Sequence, residues 1–201
     1  MRAQHLCRRK KDCFTIVKRR TKCKKFICCP KKKRRFVPAF GTAITDPPLV
    51  FVTALGIPTG STQFTGFQPV VAENVTVEST GIRVQRSGCY EVGGAASLVV
   101  FVAALVATTA PIQIALTRNG TVIPGTETTL VPTGIVLAVG ATFTAEIPER
   151  QIFLNAGDLI DLTFTNTGAA IATVAVGVTG VLGVGRVFDS NCSTNGFGFP
   201  I

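Results

Sequence analysis

From Val75 onward, apolar and polar side chains take turns along the chain. Val75 and Val77 alternate with Thr76 and Glu78, Ile82 and Val84 with Arg83 and Gln85, and Ile112, Ile114 and Leu116 with Gln113 and Thr117. The alternation returns at Phe143, Ala145 and Ile147 against Thr142, Thr144 and Glu146, and at Ile160, Leu162 and Phe164 against Asp161, Thr163 and Thr165. A period of two sends successive side chains to opposite faces of an extended chain, so each run predicts a strand with one dry and one wet face. Two segments depart from this: residues 98–107 are apolar throughout, and in residues 169–187 Val174, Val176, Val178, Leu182 and Val184 alternate with Ala, Gly and Thr. A strand apolar on both faces must be covered on both faces. One cover is the domain's own second sheet, and the other is expected to be a neighbouring subunit. That makes Val100, Val102, Val174, Val176, Val178, Leu182 and Val184 the candidate interface residues. Gly177, Gly180, Gly183 and Gly185 would permit close approach there, or would simply mark a thin central strand.

Turn chemistry supports the strand reading. Arg118-Asn119-Gly120-Thr121 is the strongest hairpin signal, because Asn-Gly accepts the positive φ values of a type I′ turn. Ser87-Gly88, Asn155-Ala156-Gly157-Asp158 and Thr167-Gly168 mark further turns. Eight to ten strands at this spacing, with no helical period, predict an all-β, antiparallel two-sheet sandwich such as a jelly roll. Residues 98–116 approach membrane-spanning length, but Thr108, Thr109, Pro111 and Gln113 interrupt the run, so two buried strands are expected and no membrane partner. Residues 37–65, rich in Pro, Gly, Thr and Phe, read as a connector plus a first strand at Leu49-Val50-Phe51-Val52-Thr53; residues 66–188 read as the sandwich and 189–201 as a tail.

Charge divides the chain. Residues 1–35 hold sixteen Lys and Arg and a single acid, Asp12, a net charge of +15, whereas residues 36–201 carry −5 from five Arg and ten acids. Residues 1–36 therefore read as a separate basic arm. A monomer's surface is normally rich in charge. So few charges over the rest of the chain predict an obligate oligomer. No uninterrupted apolar run follows the basic start before Pro30, so no secretory signal is expected.

The same composition argues against an enzyme. The single His is His5, in the arm, and no Lys lies beyond Arg35, so neither a nucleophile–histidine pair nor a Schiff-base or phosphate-binding lysine can be built in the domain. Glu146/Glu149 and Asp158/Asp161 are three apart, which on a regular strand places each pair on opposite faces. No cofactor is expected, and no metal, since no cluster of converging oxygens is visible.

The arm carries Cys7, Cys13, Cys23, Cys28 and Cys29 of the chain's seven cysteines; Cys89 and Cys192 are the others. Their spacing contains no C-x-x-C half-site for zinc. An odd total leaves at least one thiol over if all bonding is internal, which makes all seven candidates for disulfides between subunits. Neighbouring Lys and Arg hold more of each arm thiol as thiolate, the form that attacks disulfides. Whether Cys89 and Cys192 accept arm cysteines or bond each other is open at this level. Phe14, Phe26 and Ile27 are candidate apolar anchors for the arm. Sixteen positive charges could also bind nucleic acid nonspecifically, as in small-virus coat proteins, but the five cysteines and the apolar admixture make nucleic acid the weaker partner.

Three motifs carry a family resemblance. Gly88-Cys89-Tyr90, then Ile114-Ala115-Leu116-Thr117-Arg118-Asn119-Gly120, then Leu154-Asn155-Ala156-Gly157-Asp158-Leu159-Ile160-Asp161-Leu162 resemble, in order and spacing, the G-x-Y, L-x-x-N-G and L-x-x-G-D-x-I-x-L pattern of C1q/TNF-like jelly rolls. The likeness spans roughly residues 66–186 and is closest to Bacillus-type spore-surface members: exosporium collagen-like glycoprotein C-terminal domains and cysteine-armed endospore appendage subunits. Aromatic residues are scarcer than the family pattern, and the final strand holds Val and Gly in place of Phe. The resemblance implies a homotrimer that self-assembles into a fibre or layer. The arm would link successive subunits head to tail by insertion and disulfides, at a spore surface reached without a signal peptide, with other spore-surface proteins as further partners. A viral-type coat protein and a ligand-binding tip domain are the alternatives.

Overall fold

The computed structural model describes residues 6–8, 12–14, 36–46, 49–51, 57–102, 107–171, 175–188 and 192. The chain divides into two units, Met1–Phe36 and Val37–Ile201. In the first, β1 (Leu6–Arg8) and β2 (Asp12–Phe14) form an antiparallel pair whose register sets Cys7 opposite Cys13.

The second unit holds thirteen strands among the described residues: β3 (Phe40–Thr45), β4 (Leu49–Phe51), β5 (Gly60–Gln63), β6 (Phe67–Glu73), β7 (Val75–Glu78), β8 (Gly81–Val84), β9 (Gly88–Val102), β10 (Ile112–Arg118), β11 (Thr121–Val122), β12 (Thr128–Val131), β13 (Thr142–Leu154), β14 (Leu159–Asn166) and β15 (Ala175–Phe188). They make two antiparallel sheets. One runs β13-β9-β15-β3-β6, with β4 also on β15; the other runs β11-β10-β14-β8-β7, with β12 on β10 and β5 on β14. The pairing is nested: β3 with β15, β8 with β14, β9 with β13, β10 with β12. First pairs with last and the order closes inward, which is the winding of a jelly roll. Among the described residues no helix is long and apolar enough to cross a membrane.

The apolar half of the sequence periodicity is realised directly, whereas Thr117, Asp161 and Thr163, expected on wet faces of β10 and β14, are buried. Ile82, Val84, Ile112, Ile114, Leu116, Ile160, Leu162 and Phe164 all point into one core between the sheets, against Leu98, Val100, Val176, Val178 and Leu182 from the other side. Asn119 and Gly120 take φ of 52° and 79°, the positive pair that a type I′ turn needs, and close Arg118 onto Thr121. Gly180 faces inward, and a Cβ there would lie 2.8 Å from the Phe64 ring and 2.9 Å from Leu162. The small residue makes room for a large one, as dense cores require.

Within residues 37–65, read as a connector plus a first strand from Leu49, β4 (Leu49–Phe51) lies where that strand was expected, and β3 precedes it. β3 lies between β15 and β6 inside the six-stranded sheet, so the sandwich begins at the unit's start. The Pro- and Gly-rich composition disguised a strand of only six residues with two small side chains, Gly41 and Ala43, turned into the core.

The three motifs meet at the end of the sandwich where the chain enters it. The Asn119 side-chain amide donates to an Asp158 carboxylate oxygen at 2.8 Å, and the Asn119 side-chain oxygen accepts from the Leu159 amide at 2.9 Å. Asp158 also accepts from the Asn155 amide at 2.8 Å and pairs with Arg118 at 2.9 Å. The buried Tyr90 donates its hydroxyl to the Arg86 carbonyl at 2.7 Å. These residues fasten turns together, and Asp158 closes its own turn on the backbone as its sequence context predicts.

Candidate self-association face

Strand periodicity decides which residues the six-stranded sheet offers outward. Val100, Val176, Val178, Leu182 and Val184, expected at a subunit interface, are buried in the chain's own core. Val174 and the Val102 side chain lie outside the described residues. The alternate positions on these strands are the ones that face out. Phe101 and Val181 are exposed there, together with Phe40 and Ile44 of β3 and Val71 of β6, which the register sets opposite Thr42. Both covers of the two-sided apolar strands were anticipated, but the large valines went to the inner one. Burying the bulkier member of each alternating pair removes more apolar area from water.

The glycines divide the same way. The Phe101 ring lies against Gly177, and Phe64 and Leu162 against Gly180, so the chain itself fills these two gaps. Gly185 has nothing within 4 Å of where a Cβ would stand, and Gly183 only the Gly93 carbonyl at 3.9 Å. With Gly93, Gly94 and Thr42 they floor a shallow trough of about 700 Å³ in the sheet face.

Three glutamates line that trough: Glu91 of β9 and Glu146 and Glu149 of β13. Glu146 and Glu149 were expected on opposite faces. A register shift between Ile147 and Arg150, at Pro148, resets the alternation and brings both to one side. Pro148 was the readable signal, because proline inside a strand marks an edge or a bulge. Partial burial raises the Glu91 carboxyl above its ordinary pKa, helped by a hydrogen bond shared with Glu149 and by that group's like charge.

Both edges of this sheet are blunted. β13 carries Pro148 at its bulge, and β6 carries Pro69 where the pairing with β3 shifts between Thr42 and Ala43. Proline and bulges on edge strands oppose edge-to-edge pairing, which leaves the face as the surface available to another chain.

The cysteines separate into two groups. Cys89 and Cys192 form a disulfide within the chain, 103 residues apart. They are thus taken out of the set expected to join subunits. Cys89 is buried on β9, and the bond ties the residues after β15 back to that strand. Cys7 and Cys13 are placed only by the backbone register of β1 and β2; Cys23, Cys28, Cys29, Phe26, Ile27 and the Phe14 side chain lie outside the described residues. Among the described residues, no three His, Cys, Asp or Glu side chains gather as a metal site requires.

On the seven-stranded sheet, Asp161 is buried and accepts a hydrogen bond from the Thr117 hydroxyl. Burial raises its carboxyl above the ordinary value; contacts with Thr117, Gln63 and Thr163 pull the other way without cancelling it. The fold therefore favours the protonated acid. Between the unfolded and the raised folded pKa the native state binds more protons, so stability falls as pH rises through that window and is regained on acidification. Asp161→Asn is expected to flatten this slope and to match or exceed the native chain's stability at neutral pH, as read from urea midpoints at pH 4 to 7. A steeper loss at neutral pH in the variant would mean that the charged form is the one the fold wants.

No protein-family model and no curated protein matches this chain. Solved structures similar to it include the PRD1 vertex protein P5, at 15% identity over 74% of this chain and 96% of that chain, with a TM-score of 0.43. Murine APRIL at pH 5.0 is 16% identical over 75% of this chain and all of that one, TM-score 0.42. Eiger TNF from S. frugiperda is 16% identical over 81% and 99%, TM-score 0.40. Likeness at this level does not carry the function of any of them to this chain.

Proposed function

We propose that the protein is a self-assembling structural subunit and not an enzyme. Copies pack through the outward face of the six-stranded sheet, as a homotrimer, and the basic arm joins successive subunits into a fibre or layer at a bacterial spore surface. The observation that carries the reading is the set of exposed apolar side chains Phe40, Ile44, Val71, Phe101 and Val181 beside the glutamate-lined trough, in a sheet whose two edges are blunted. A patch of that kind on a charge-poor domain marks a protein contact. The arm's five cysteines and net charge of +15 supply the link, since disulfides between chains need no geometric match over a large surface. The odd cysteine count points the same way: with Cys89 and Cys192 paired, five remain, and five cannot all pair within one chain.

Val181→Asp tests the face. Val181 is exposed at the middle of the sheet and lines the trough, so a carboxylate there should leave the fold intact while placing an unpaired charge in the contact. Under reducing conditions, sedimentation velocity should show the threefold unit in the native protein, as trimers or as pairs of trimers, and its loss in the variant, with the apparent dissociation constant of that unit raised at least tenfold. An unchanged trimer would remove this face from consideration.

A further inference from the structure

Among the described residues, the charges of the second unit lie at one end of the sandwich and in its middle. Residues 47–72, 92–117, 128–145 and 162–185 contain no Asp, Glu, Lys, Arg or His. The strand registers bring the far halves of all four stretches together. β9 ends at Val102 where β15 begins, β13 starts at Thr142 opposite Val99, and Ile112 of β10 faces Asn166 of β14. The described parts of the connections there are 107–111, 132–141 and 167–171, with 57–59 beside them. Val37, Arg86, Arg118, Asp158 and Arg186 all lie toward the opposite end, where the chain enters; the Arg186 side chain donates to the Val37 carbonyl at 3.1 Å.

Hydrogen bonds tie the described loops of the uncharged end to one another. The buried Thr108 hydroxyl donates to the Pro132 carbonyl at 2.8 Å and accepts from the Ile135 amide at 3.1 Å, and the Thr108 carbonyl accepts from Gly134 at 2.8 Å. Ile57 and Ile171 exchange both backbone bonds at 3.0 Å, and Thr59 caps the Gly168 carbonyl at 2.9 Å. Beside these bonds the loop between β12 and β13 turns apolar side chains outward: Val136 is 57% exposed and Val139 66%, with Ile135 next to them. Solvent-facing loops are ordinarily where a domain keeps its charge.

We infer that this end is a contact surface for the same end of a second copy, tip to tip. The choice of occupant follows from charge. The opposite end would bring carboxylates against an apolar surface and leave them desolvated and unpaired, at a cost of several kcal/mol per ion. The basic arm would find no acid there to neutralise. A lipid surface is disfavoured too. Membrane-seating tips are flanked by Trp, Tyr or basic residues, whereas this chain has no Trp, its single Tyr is buried near the chain-entry end, and residues 36–201 carry no Lys and a net −5. Like meeting like buries no charge, which is how interface cores are composed. This contact is separate from the sheet face and does not depend on it.

The test uses the full chain under reducing conditions. Val136→Glu/Val139→Glu is compared with Gln85→Glu, an exposed change near the entry end, by sedimentation velocity, with thermal melts to confirm folding. The native protein and Gln85→Glu should share a species of twice the mass of the one left in the tip variant. Identical distributions in all three would overturn the inference. As a second reading independent of stability, a photo-reactive phenylalanine analogue at Val139 should cross-link residues 132–141 of one chain to the same segment of another. Cross-links only to other regions, or native protein that co-sediments with phosphatidylcholine vesicles while the tip variant does not, would equally overturn it.

Discussion

Replacing Cys89 and Cys192 together with alanine is expected to lower the melting temperature by roughly 10–15 °C. The bond closes a loop of 103 residues. Constraint of the unfolded chain by a loop of that length is worth about 4–5 kcal/mol, and each kcal/mol moves the midpoint of a domain this size by about 2–4 °C. The loop takes in β9 to β15, seven of the unit's thirteen described strands, including the long pairing between β9 and β15. Its loss should therefore loosen the fold as a whole and not merely the tail. Calorimetry of both proteins, with and without reductant, checks this: reductant should bring the native chain down to the variant and leave the variant where it was. The pair should also be dispensable for covalent assembly, so the ladder of disulfide-linked species on a non-reducing gel should survive the double replacement. A ladder that disappears with these two residues would return them to the role between subunits that spacing alone allowed.

Deleting residues 1–35 is expected to abolish that ladder entirely while leaving folded sandwich. Among the described residues, the second unit's core is assembled from residues 39–184, all of which the truncation retains. What it removes is five cysteines and sixteen of the chain's twenty-one basic residues. Replacing Cys7, Cys13, Cys23, Cys28 and Cys29 with serine separates the two contributions. If thiols make the link, the serine variant should run as monomer on a non-reducing gel yet retain salt-sensitive association through its charge; exposed electrostatic attraction is screened within about 10 Å at 0.1 M salt. Filaments in electron micrographs of native protein, absent from the truncated form, would complete the case. A truncated domain that still polymerises would show that the arm is not the connector, whatever it binds.

How legible these features were depended on the range of the interaction that decides them. Strand identity was readable because alternation and Asn-Gly turn chemistry are local. Ile112, Ile114 and Leu116 went inward, and Asn119 and Gly120 turned the chain, as a reader of a dozen residues would expect. Faces were readable only where alternation was unbroken. Pro148 shifted the register by a bulge and brought Glu146 to the side of Glu149, which a count of three residues puts apart. The candidate interface was misplaced for a related reason. Val176, Val178, Leu182 and Val184 share a face with each other, but nothing local says whether that face looks at the second sheet or at another chain.

Composition and pattern alone determined the all-β class, the division into a basic cysteine-rich arm and an acidic, charge-poor domain, and the absence of the groups most catalytic chemistry needs. These depend on side-chain type and on neighbours a few residues away. Tertiary structure alone decided that Cys89 and Cys192 bond each other, that the large valines face inward while Phe101 and Val181 face outward, and that four uncharged stretches gather at one end. Each of these joins residues tens to about a hundred positions apart, and only the nested closure of two sheets brings such residues together.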